Sequence, residues 1–399
     1  MVNVTDKNTN QVSSYSIGFN SYKEIAVSLD LTLFNNGIRN QVLYISADQD
    51  ISVVAYQSKS GSMGAYLALP ARAYGYQYVT AHYSKSSSNF LGAFAIVPKE
   101  DNTTVSLRPI SQISFQSKTG DQNTPLNITL QKFEVFYYRK AADFTGTLVS
   151  ADKPVAVYGN EECAFVPTSS TPCDYIITQY TPIEYLGKTY VLSVSPLRTA
   201  DRFRVVGAYD NNHVSVPLKS IDTTLQKNQY REFEVTAPNV ASVECNQPCL
   251  VAQYTRSFNT DSVSADPSLN IVSAIDQFMP SYLIFFTSQS VLNPTQRFIA
   301  ITILASEIDG LRLDHQPLSN PVWYNITISN GTFSVTSLAV SAGIHLINHI
   351  SSNVTFGLSQ YGYGSDAETY HFTSDVQFYS SFRCKLFYYL IISKPILYC

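Results

Sequence analysis

The chain has 399 residues, of which 45% are hydrophobic, 14% charged and 13% aromatic, with 26 basic and 30 acidic side chains. That length suffices for roughly two to four domains, each with its own core. The low charged fraction argues against a disordered chain. The net charge of −4, without a cluster of Lys and Arg, excludes the usual surface of a nucleic-acid-binding protein. No run of about 20 apolar residues occurs, so we expect no membrane span.

The amino terminus lacks the features of a secretory signal. Met1 to Lys7 contain neither a basic start nor the beginning of an apolar stretch. We therefore expect either a protein that stays inside the cell or a true start that lies upstream, in which case this amino terminus is truncated.

One short segment recurs along the chain. Residues 46–54 are similar to residues 150–158, and more loosely to residues 244–252 and 351–359. A recurrence at roughly 100 residues is typical of tandem structural units. The sequence therefore predicts four related units, of which the first is cut short.

Two further alignments support the repeat and indicate β-structure. Residues 94–102 align with residues 203–211 without a gap, and residues 129–132 align with residues 224–227. Two runs rich in β-branched and aromatic residues flank Asp210-Asn211-Asn212, a turn composition that predicts a hairpin. Residues 231–235 alternate polar and apolar side chains, as a half-buried strand does.

We therefore predict an all-β fold of tandem β-sandwich-like repeats of about 95–105 residues each. No window of a dozen residues keeps a helical period. A β-propeller-like arrangement is the alternative. The predicted ranges are a partial unit at 1–70, repeats at 71–184, 185–277 and 278–373, and an atypical tail at 374–399, for which we hypothesise a non-native origin.

The six cysteines suggest disulfides. Cys163 with Cys173 and Cys245 with Cys249 form two short-range couples, while Cys384 and Cys399 lie in the tail. No Cys-x-x-Cys occurs and the histidines are distant in sequence, which disfavours a zinc site with four converging ligands. We expect two local disulfides and hence an oxidising compartment, with free buried thiols as the alternative.

Six Asn-x-Ser/Thr triplets occur, one at Asn3 and five at asparagines that are candidates for glycosylation. A chain this rich in Asn, Ser and Thr should contain about five by chance, so they permit secretion without indicating it. The candidates are Asn102, Asn127, Asn325, Asn330 and Asn353.

The middle two units contain a series of ordered motifs. They are residues 153–163 (Lys-Pro-Val-Ala-Val-Tyr-Gly-Asn-Glu-Glu-Cys), 172–174 (Pro-Cys-Asp), 187–191 (Gly-Lys-Thr-Tyr-Val), 201–206 (Asp-Arg-Phe-Arg-Val-Val) and 248–254 (Pro-Cys-Leu-Val-Ala-Gln-Tyr). Their order resembles the N-terminal domain of the IgG Fc-binding protein family, and the resemblance extends over roughly residues 40–373.

The resemblance implies a secreted, non-enzymatic binding or adhesion module of mucus or surface coats. Its expected partners are extracellular proteins or glycans, mucin-like or immunoglobulin-like, and no nucleic acid. We expect no cofactor, no metal and no catalytic residue. A structural spacer in a secreted matrix is the alternative, and a carbohydrate-active enzyme is the remote one.

The acidic clusters give little indication of catalysis or of metal binding. Glu161 with Glu162, and Asp366 with Glu368, could act in glycoside hydrolysis only at the right separation, so we interpret them as a solvated rim. Oxygen ligands for calcium occur at Asp48 and Asp50 and at Asp210 and Asn211, but turns explain these residues more simply.

Tyrosine is abundant, with 28 residues. Most should fill strand faces. An alternative function is an exposed stacking surface for glycans or proteins, formed by Tyr361, Tyr363 and Tyr370 near glycines.

Overall fold

A computed structural model describes most of the chain. The described residues are 1–18, 21–59, 62–84, 89–258, 261, 263, 265–286, 294–364, 369–374 and 389–395. Within them the chain forms strands and only short 3₁₀ turns, which confirms the predicted all-β class. The 3₁₀ turns are Leu29–Leu31, Ala71–Ala73, Ile183–Tyr185, Pro217–Lys219, Ile275–Gln277 and Ala305–Gly310.

The first unit is the smallest. Three of its strands form an antiparallel sheet in the order β2-β1-β5, and β6 pairs with β7 in a second sheet. Strand β4 instead pairs with a strand of the second unit. The strands are β1 (Val2–Asp6), β2 (Gln11–Tyr15), β3 (Tyr22–Ala26), β4 (Gly37–Arg39), β5 (Leu43–Ala47), β6 (Ser52–Lys59) and β7 (Ser62–Ala68).

The second unit is a sandwich whose longest strand belongs to both of its halves. The strands are β8 (Gly75–Val79), β9 (Gly92–Pro98), β10 (Thr103–Arg108), β11 (Ile113–Phe115), β12 (Lys118–Gly120), β13 (Leu126–Leu130), β14 (Val135–Lys140), β15 (Leu148–Ala164) and β16 (Asp174–Gln179). The amino-terminal part of β15 pairs with β8 and β10, and its carboxyl-terminal part pairs with β9 and β16. Apolar side chains from both halves, including Phe94, Leu107 and Val157, share one core.

The third unit repeats this topology with two separate sheets. The strands are β17 (Thr189–Leu192), β18 (Ala200–Gly207), β19 (Asn212–Val216), β20 (Ile221–Leu225), β21 (Tyr230–Thr236), β22 (Ala241–Cys245), β23 (Cys249–Thr255) and β24 (Leu269–Ile271). The sheet orders are β17-β22-β19-β20 and β21-β18-β23-β24. Alternating residues such as Phe203, Val205, Phe233 and Val235 point inward and form the core between the sheets.

The fourth unit has the same two sheets with one added strand. The strands are β25 (Ser281–Phe286), β26 (Pro294–Leu304), β27 (Leu311–Leu313), β28 (Gln316–Pro317), β29 (Tyr324–Ile328), β30 (Gly331–Ala339), β31 (Gly343–His349), β32 (Gly357–Gly364) and β33 (Thr369–Thr373). Their orders are β25-β31-β27-β28 and β29-β30-β26-β32-β33. The core includes Ile301, Ile303 and Phe356 together with Val54 and Tyr56 of the first unit.

One predicted turn has a different role. The hairpin expected at Asp210-Asn211-Asn212 is wrong, because β18 and β19 belong to opposite sheets and pair with other strands. Turn-forming residues indicate that the chain reverses its direction. They do not distinguish a hairpin within one sheet from a connection between two sheets.

The four units are joined through their last strands. Strand β7 contacts β16, β16 contacts β24, β24 contacts β33, and β33 contacts β7, so these contacts close a ring. The contacts between the units therefore form a closed ring in which each unit contacts two others through its last strand.

A strand from the tail completes the first unit. Strand β34 (Tyr389–Pro395) lies between β3 and β6 and runs parallel to both. The equivalent position in the third unit is held by β18, which is antiparallel to its neighbours. The hypothesis of a non-native tail stays a prediction, and Cys384 and Cys399 lie outside the described residues.

Candidate functional site

The four cysteines of the repeats form two disulfides. Cys163 is linked to Cys173 with a Cα–Cα distance of 5.0 Å, and Cys245 is linked to Cys249 at 6.5 Å. The second disulfide joins the end of β22 to the start of β23 and so spans the crossing between the two sheets. The first closes the connection between β15 and β16.

The connection closed by Cys163 and Cys173 is short, because β15 continues to Ala164 and β16 begins at Asp174. The remaining loop is anchored to the third unit by Val166, whose N–H donates to Ser257 Oγ (3.0 Å) and whose carbonyl accepts from the Ser257 N–H (2.7 Å). The disulfide and the hydrogen bonds of Val166 together restrict the conformations that this loop can adopt.

An exposed aromatic side chain lies beside this loop. Phe90 is 44% exposed, and its ring centroid is 6.1 Å from that of Phe165. We name residues 163–173 with Phe90 the disulfide-loop face. Exposed aromatic residues on a rigid support are enriched at protein-binding surfaces because they add apolar contact area at a small entropic cost.

Hydrogen bonds of Glu162 fix the backbone of Leu91, the residue after Phe90. The backbone of Leu91 donates to Glu162 Oε2 (3.1 Å), and the Glu162 N–H donates to the Leu91 carbonyl (3.0 Å). Glu162 Oε1 accepts from Arg139 Nη1 (2.8 Å). The chain next to Phe90 is therefore fixed to the end of β15, which also carries Cys163.

A large cavity lies on the other side of Glu162. It encloses about 450 Å³ between the first and second units, within the range of small-molecule sites. Its wall is mainly aliphatic and tyrosine side chains, with one ion pair. The lining includes Leu43, Ile45, Ile51, Val53, Tyr66, Tyr74, Tyr137, Arg139, Tyr158 and Glu162. Burial raises the pKa of the tyrosine hydroxyls at 66, 74, 137 and 158, so these groups stay neutral donors.

Comparison with known proteins identifies the family. The family model described as "IgGFc binding protein" matches residues 64–362, well over half of the chain. The chain belongs to the IgGFc-binding protein family. It is 24% identical over 353 residues to the human IgGFc-binding protein, covering 86% of this chain and 6% of that protein. The chain thus spans a small fraction of the length of this curated relative.

A solved structure adds no support to the family assignment. The viral chemokine-binding protein R17 of a rodent gammaherpesvirus is 8% identical, with 79% of this chain and 88% of that chain covered and a TM-score of 0.16. A similarity of this size carries no structural or functional argument.

The three tyrosines expected to form an exposed surface are buried in the structure. Tyr361, Tyr363 and Tyr370 are 0%, 9% and 1% exposed, so the hypothesis of a stacking surface needs correction. Each lies on β32 or β33 and packs against other aromatic rings, such as Tyr56 against Tyr370 at 5.5 Å. The nearby glycines indicated exposure, but close packing of the units covers these strands.

The neighbouring acids Glu161 and Glu162 do not form a carboxylate pair. Glu161 is buried and Oε1 lies 3.1 Å from His82 Nδ1, whereas Glu162 lies on the opposite face and pairs with Arg139. Burial raises the pKa of Glu161, and the contact with His82 lowers it. Strand alternation separates the two carboxyls. The other acidic pair, Asp366 and Glu368, lies outside the described residues.

The calcium candidates have partners within the protein. Asp210 Oδ1 accepts from the Lys227 N–H (3.0 Å), and Asn211 exchanges hydrogen bonds with Gln226. Asp50 lies 3.3 Å from Arg72. No group of three or more His, Cys, Asp or Glu side chains in the described part of the chain could hold a metal ion.

The candidate glycosylation sites lie at the surface. All five asparagines are exposed, and two of them lie on the fourth-unit strand β29 or the turn after it. None of the described helices is long and apolar enough to cross a membrane. The five asparagines are Asn102, Asn127, Asn325, Asn330 and Asn353.

Sequence reasoning located the disulfide but missed its aromatic neighbour. Phe90 and Phe165 are 75 positions apart in the chain and come together because β9 pairs with β15, with Gly92 opposite Glu161. No local signal contains that pairing.

Proposed function

We propose that this member of the IgGFc-binding family is a non-enzymatic extracellular module that binds a protein partner through the disulfide-loop face. The observation that carries the proposal is the exposed Phe90 ring, which lies against Phe165 beside the Cys163–Cys173 disulfide and precedes Leu91, whose backbone is bonded to Glu162. A fixed aromatic residue loses little entropy on binding. The two disulfides support an oxidising, extracellular setting, because structural disulfides persist there.

Glycans of mucus or surface coats are the second class of ligand. The five exposed sequons suit a glycosylated surface protein, but they say nothing about which ligand is bound. The aromatic composition of the disulfide-loop face favours a protein partner.

The test compares ligands and one pair of variants. The full chain, expressed through a secretory route with an added signal sequence, is passed over immobilised immunoglobulin Fc, intact mucin and deglycosylated mucin. We expect saturable binding to a protein surface and at least a tenfold weaker Kd for Phe90→Ser. Ile350→Ser is the control, because Ile350 is 67% exposed and distant in the chain from the loop. Loss of binding in both variants, or in neither, contradicts the proposal.

A structural spacer gives a different result in the same experiment. A spacer would self-associate with increasing concentration and bind none of the three surfaces. Light scattering of the injected samples distinguishes this outcome.

A further inference from the structure

Leu197 combines an exposed side chain with an unfavourable backbone conformation. It is 58% exposed, and its φ is 63°. It occupies the third position of a turn, since the Arg198 N–H donates to the Ser195 carbonyl (3.0 Å) and Pro196 fills the second position. Proline followed by a residue with positive φ is typical of a type II turn, in which glycine or asparagine normally holds the third position. A leucine there costs conformational free energy because its Cβ crowds the backbone.

Buried residues on both sides hold the turn in this conformation. Before Leu197, the Ser195 N–H and hydroxyl both donate to Asp201 Oδ2, at 2.7 and 2.6 Å. After it, Arg198 Nε donates to Asp261 Oδ2 (2.7 Å), and neither of these two side chains is exposed. Strain that the surrounding structure maintains in this way is concentrated at functional positions.

The turn lies beside the disulfide-loop face. Arg198 Nη2 donates to the Arg256 carbonyl (2.6 Å). The next residue, Ser257, exchanges two hydrogen bonds with Val166 of the disulfide loop. The dipeptide Arg256-Ser257 therefore supports the turn on one side and the disulfide-loop face on the other.

The charges of this region are paired and buried. Residues 163–173 contain no charged side chain. Arg198 and Asp261, which hold the turn, pair with each other beneath the surface. A partner therefore meets apolar groups and hydroxyls. Such a surface is complementary to an uncharged protein surface and not to an anionic glycan.

We propose that the binding surface crosses the junction between the second and third units and includes Leu197, and that its partner is a protein with an uncharged, apolar surface. Phe90 and Leu197 contact the same partner at separate apolar sites. The inference extends the disulfide-loop face and so rests on the proposed protein-binding function. It also gives a reason for a leucine where the backbone favours glycine, because the partner binds the side chain.

Two exposed leucines that each follow a proline provide the variant and its control. Leu197→Asn keeps a residue that tolerates positive φ and removes the apolar side chain. The control is Leu218→Asn, because Leu218 is 43% exposed and lies in the 3₁₀ turn Pro217–Lys219 between β19 and β20. That turn belongs to the sheet opposite β23, the strand that leads to Arg256.

Binding is measured on whichever immobilised protein surface, Fc or mucin, retains the wild-type chain. Leu197→Asn should weaken Kd about fivefold through the loss of apolar contact area. Combined with Phe90→Ser it should weaken Kd about fiftyfold, since two separate sites act independently. Leu218→Asn should leave Kd unchanged. The wild-type Kd should change less than about twofold between about 50 and 500 mM NaCl, because no unpaired charge is involved.

Leu197→Gly distinguishes binding from a structural role. Glycine adopts positive φ without strain, so this variant should melt at or above the wild-type temperature and still bind as weakly as Leu197→Asn. A lower melting temperature would mean that the leucine side chain supports the fold, and would overturn the inference.

The variants distinguish the inference from the proposed function. Weaker binding of Phe90→Ser with wild-type binding of Leu197→Asn would support the disulfide-loop face and refute its extension. The reverse result would refute the disulfide-loop face and leave the turn as the binding surface. A Kd that rises tenfold with salt would refute the uncharged partner. A wild-type chain that binds none of the immobilised surfaces would refute both proposals.

Discussion

At the scale of single residues, Asp266 carries an ionisable group where the units meet. Its N–H donates to Thr369 Oγ1 (2.8 Å) and its carbonyl accepts from Thr255 Oγ1 (3.1 Å), but the buried Oδ1 has no hydrogen-bond partner among the described residues. Burial raises the pKa of Asp266 from 3.8 to about 7, and Arg198 opposes this increase. Burial and the charge of Asp266 also raise the pKa of Asp174.

Asp266 should therefore destabilise the fold as the pH rises. The folded state binds the proton more tightly than the unfolded chain, so its stabilising contribution is complete below about pH 4 and disappears through about pH 7. By about 1.36 kcal/mol per pKa unit, the loss is at most about 4 kcal/mol. We expect Asp266→Asn to equal the wild type in thermal stability at about pH 4 and to exceed it at pH 8. Asp309→Asn, at an exposed position, is the control, and an equal effect of Asp266→Asn at both pH values would contradict the prediction.

A second buried group, His371, changes the stability with pH in the opposite direction. Burial lowers the pKa of His371 from 6.5 to about 3. Its contribution to stability is complete above about pH 6.5 and is lost as the pH falls toward 3. Comparing Asp266→Asn with the wild type at the same pH cancels this background, provided that the two sites act independently.

At the scale of elements, the repeated motif in the second and third units is a hydrogen-bonded turn. Asp101 Oδ1 accepts from the Lys132 N–H at 3.0 Å, the distance found for Asp210 and Lys227. Asn102 and Asn211 both adopt positive φ, at 52° and 55°, and exchange hydrogen bonds with Gln131 and Gln226. Asn tolerates this backbone region better than most residues.

This geometry predicts a structural role for Asp210 without calcium. Asp210→Ala removes the acceptor for the Lys227 N–H and should cost about 1 kcal/mol of unfolding free energy. Chemical denaturation in calcium and in EDTA should give the same curve for the wild type. A calcium-dependent midpoint that Asp210→Ala abolishes would instead support the metal-ligand alternative.

Much of each element could be predicted from sequence, because strand patterns and turn residues act locally. The half-buried strand at residues 231–235 matches β21, in which Phe233 and Val235 are buried. The pairing partner of each strand was harder to predict from the sequence. The predicted hairpin at Asp210 failed because pairing across a sandwich depends on contacts that are distant in sequence.

At the scale of the whole molecule, the arrangement of units had no sequence signal. The predicted four-unit repeat did not indicate that β7, β16, β24 and β33 would contact each other in a closed order. Nor did it indicate that β34 would lie between β3 and β6. These contacts bury the tyrosines that the sequence predicted on a binding surface. The candidate binding site is therefore the disulfide-loop face.

Arg204 is the residue that most clearly joins two units. From β18 of the third unit, its Nη1 donates to the His82 carbonyl, Asp143 (2.8 Å) and Thr145 Oγ1 (2.7 Å) of the second unit. Its guanidinium lies 4.4 Å from the ring centroid of Tyr83. Burial opposes ionisation of Asp143, but Arg204 holds its pKa below the ordinary value. The buried cation therefore pairs with a half-buried acid across the junction.

We expect Arg204→Met to destabilise the chain by about 3 kcal/mol, because it removes the buried cation that pairs with the half-buried Asp143. Arg202→Met, two residues away on the same strand, should cost less than about 1 kcal/mol, since Arg202 pairs with the partly exposed Glu232 and Glu234. Unfolding of several joined units need not be two-state, so hydrogen exchange is the decisive measurement. Faster exchange in both the second and third units would show that Arg204 couples them. Faster exchange confined to the third unit would show that the two sandwiches are held together by their apolar contacts instead.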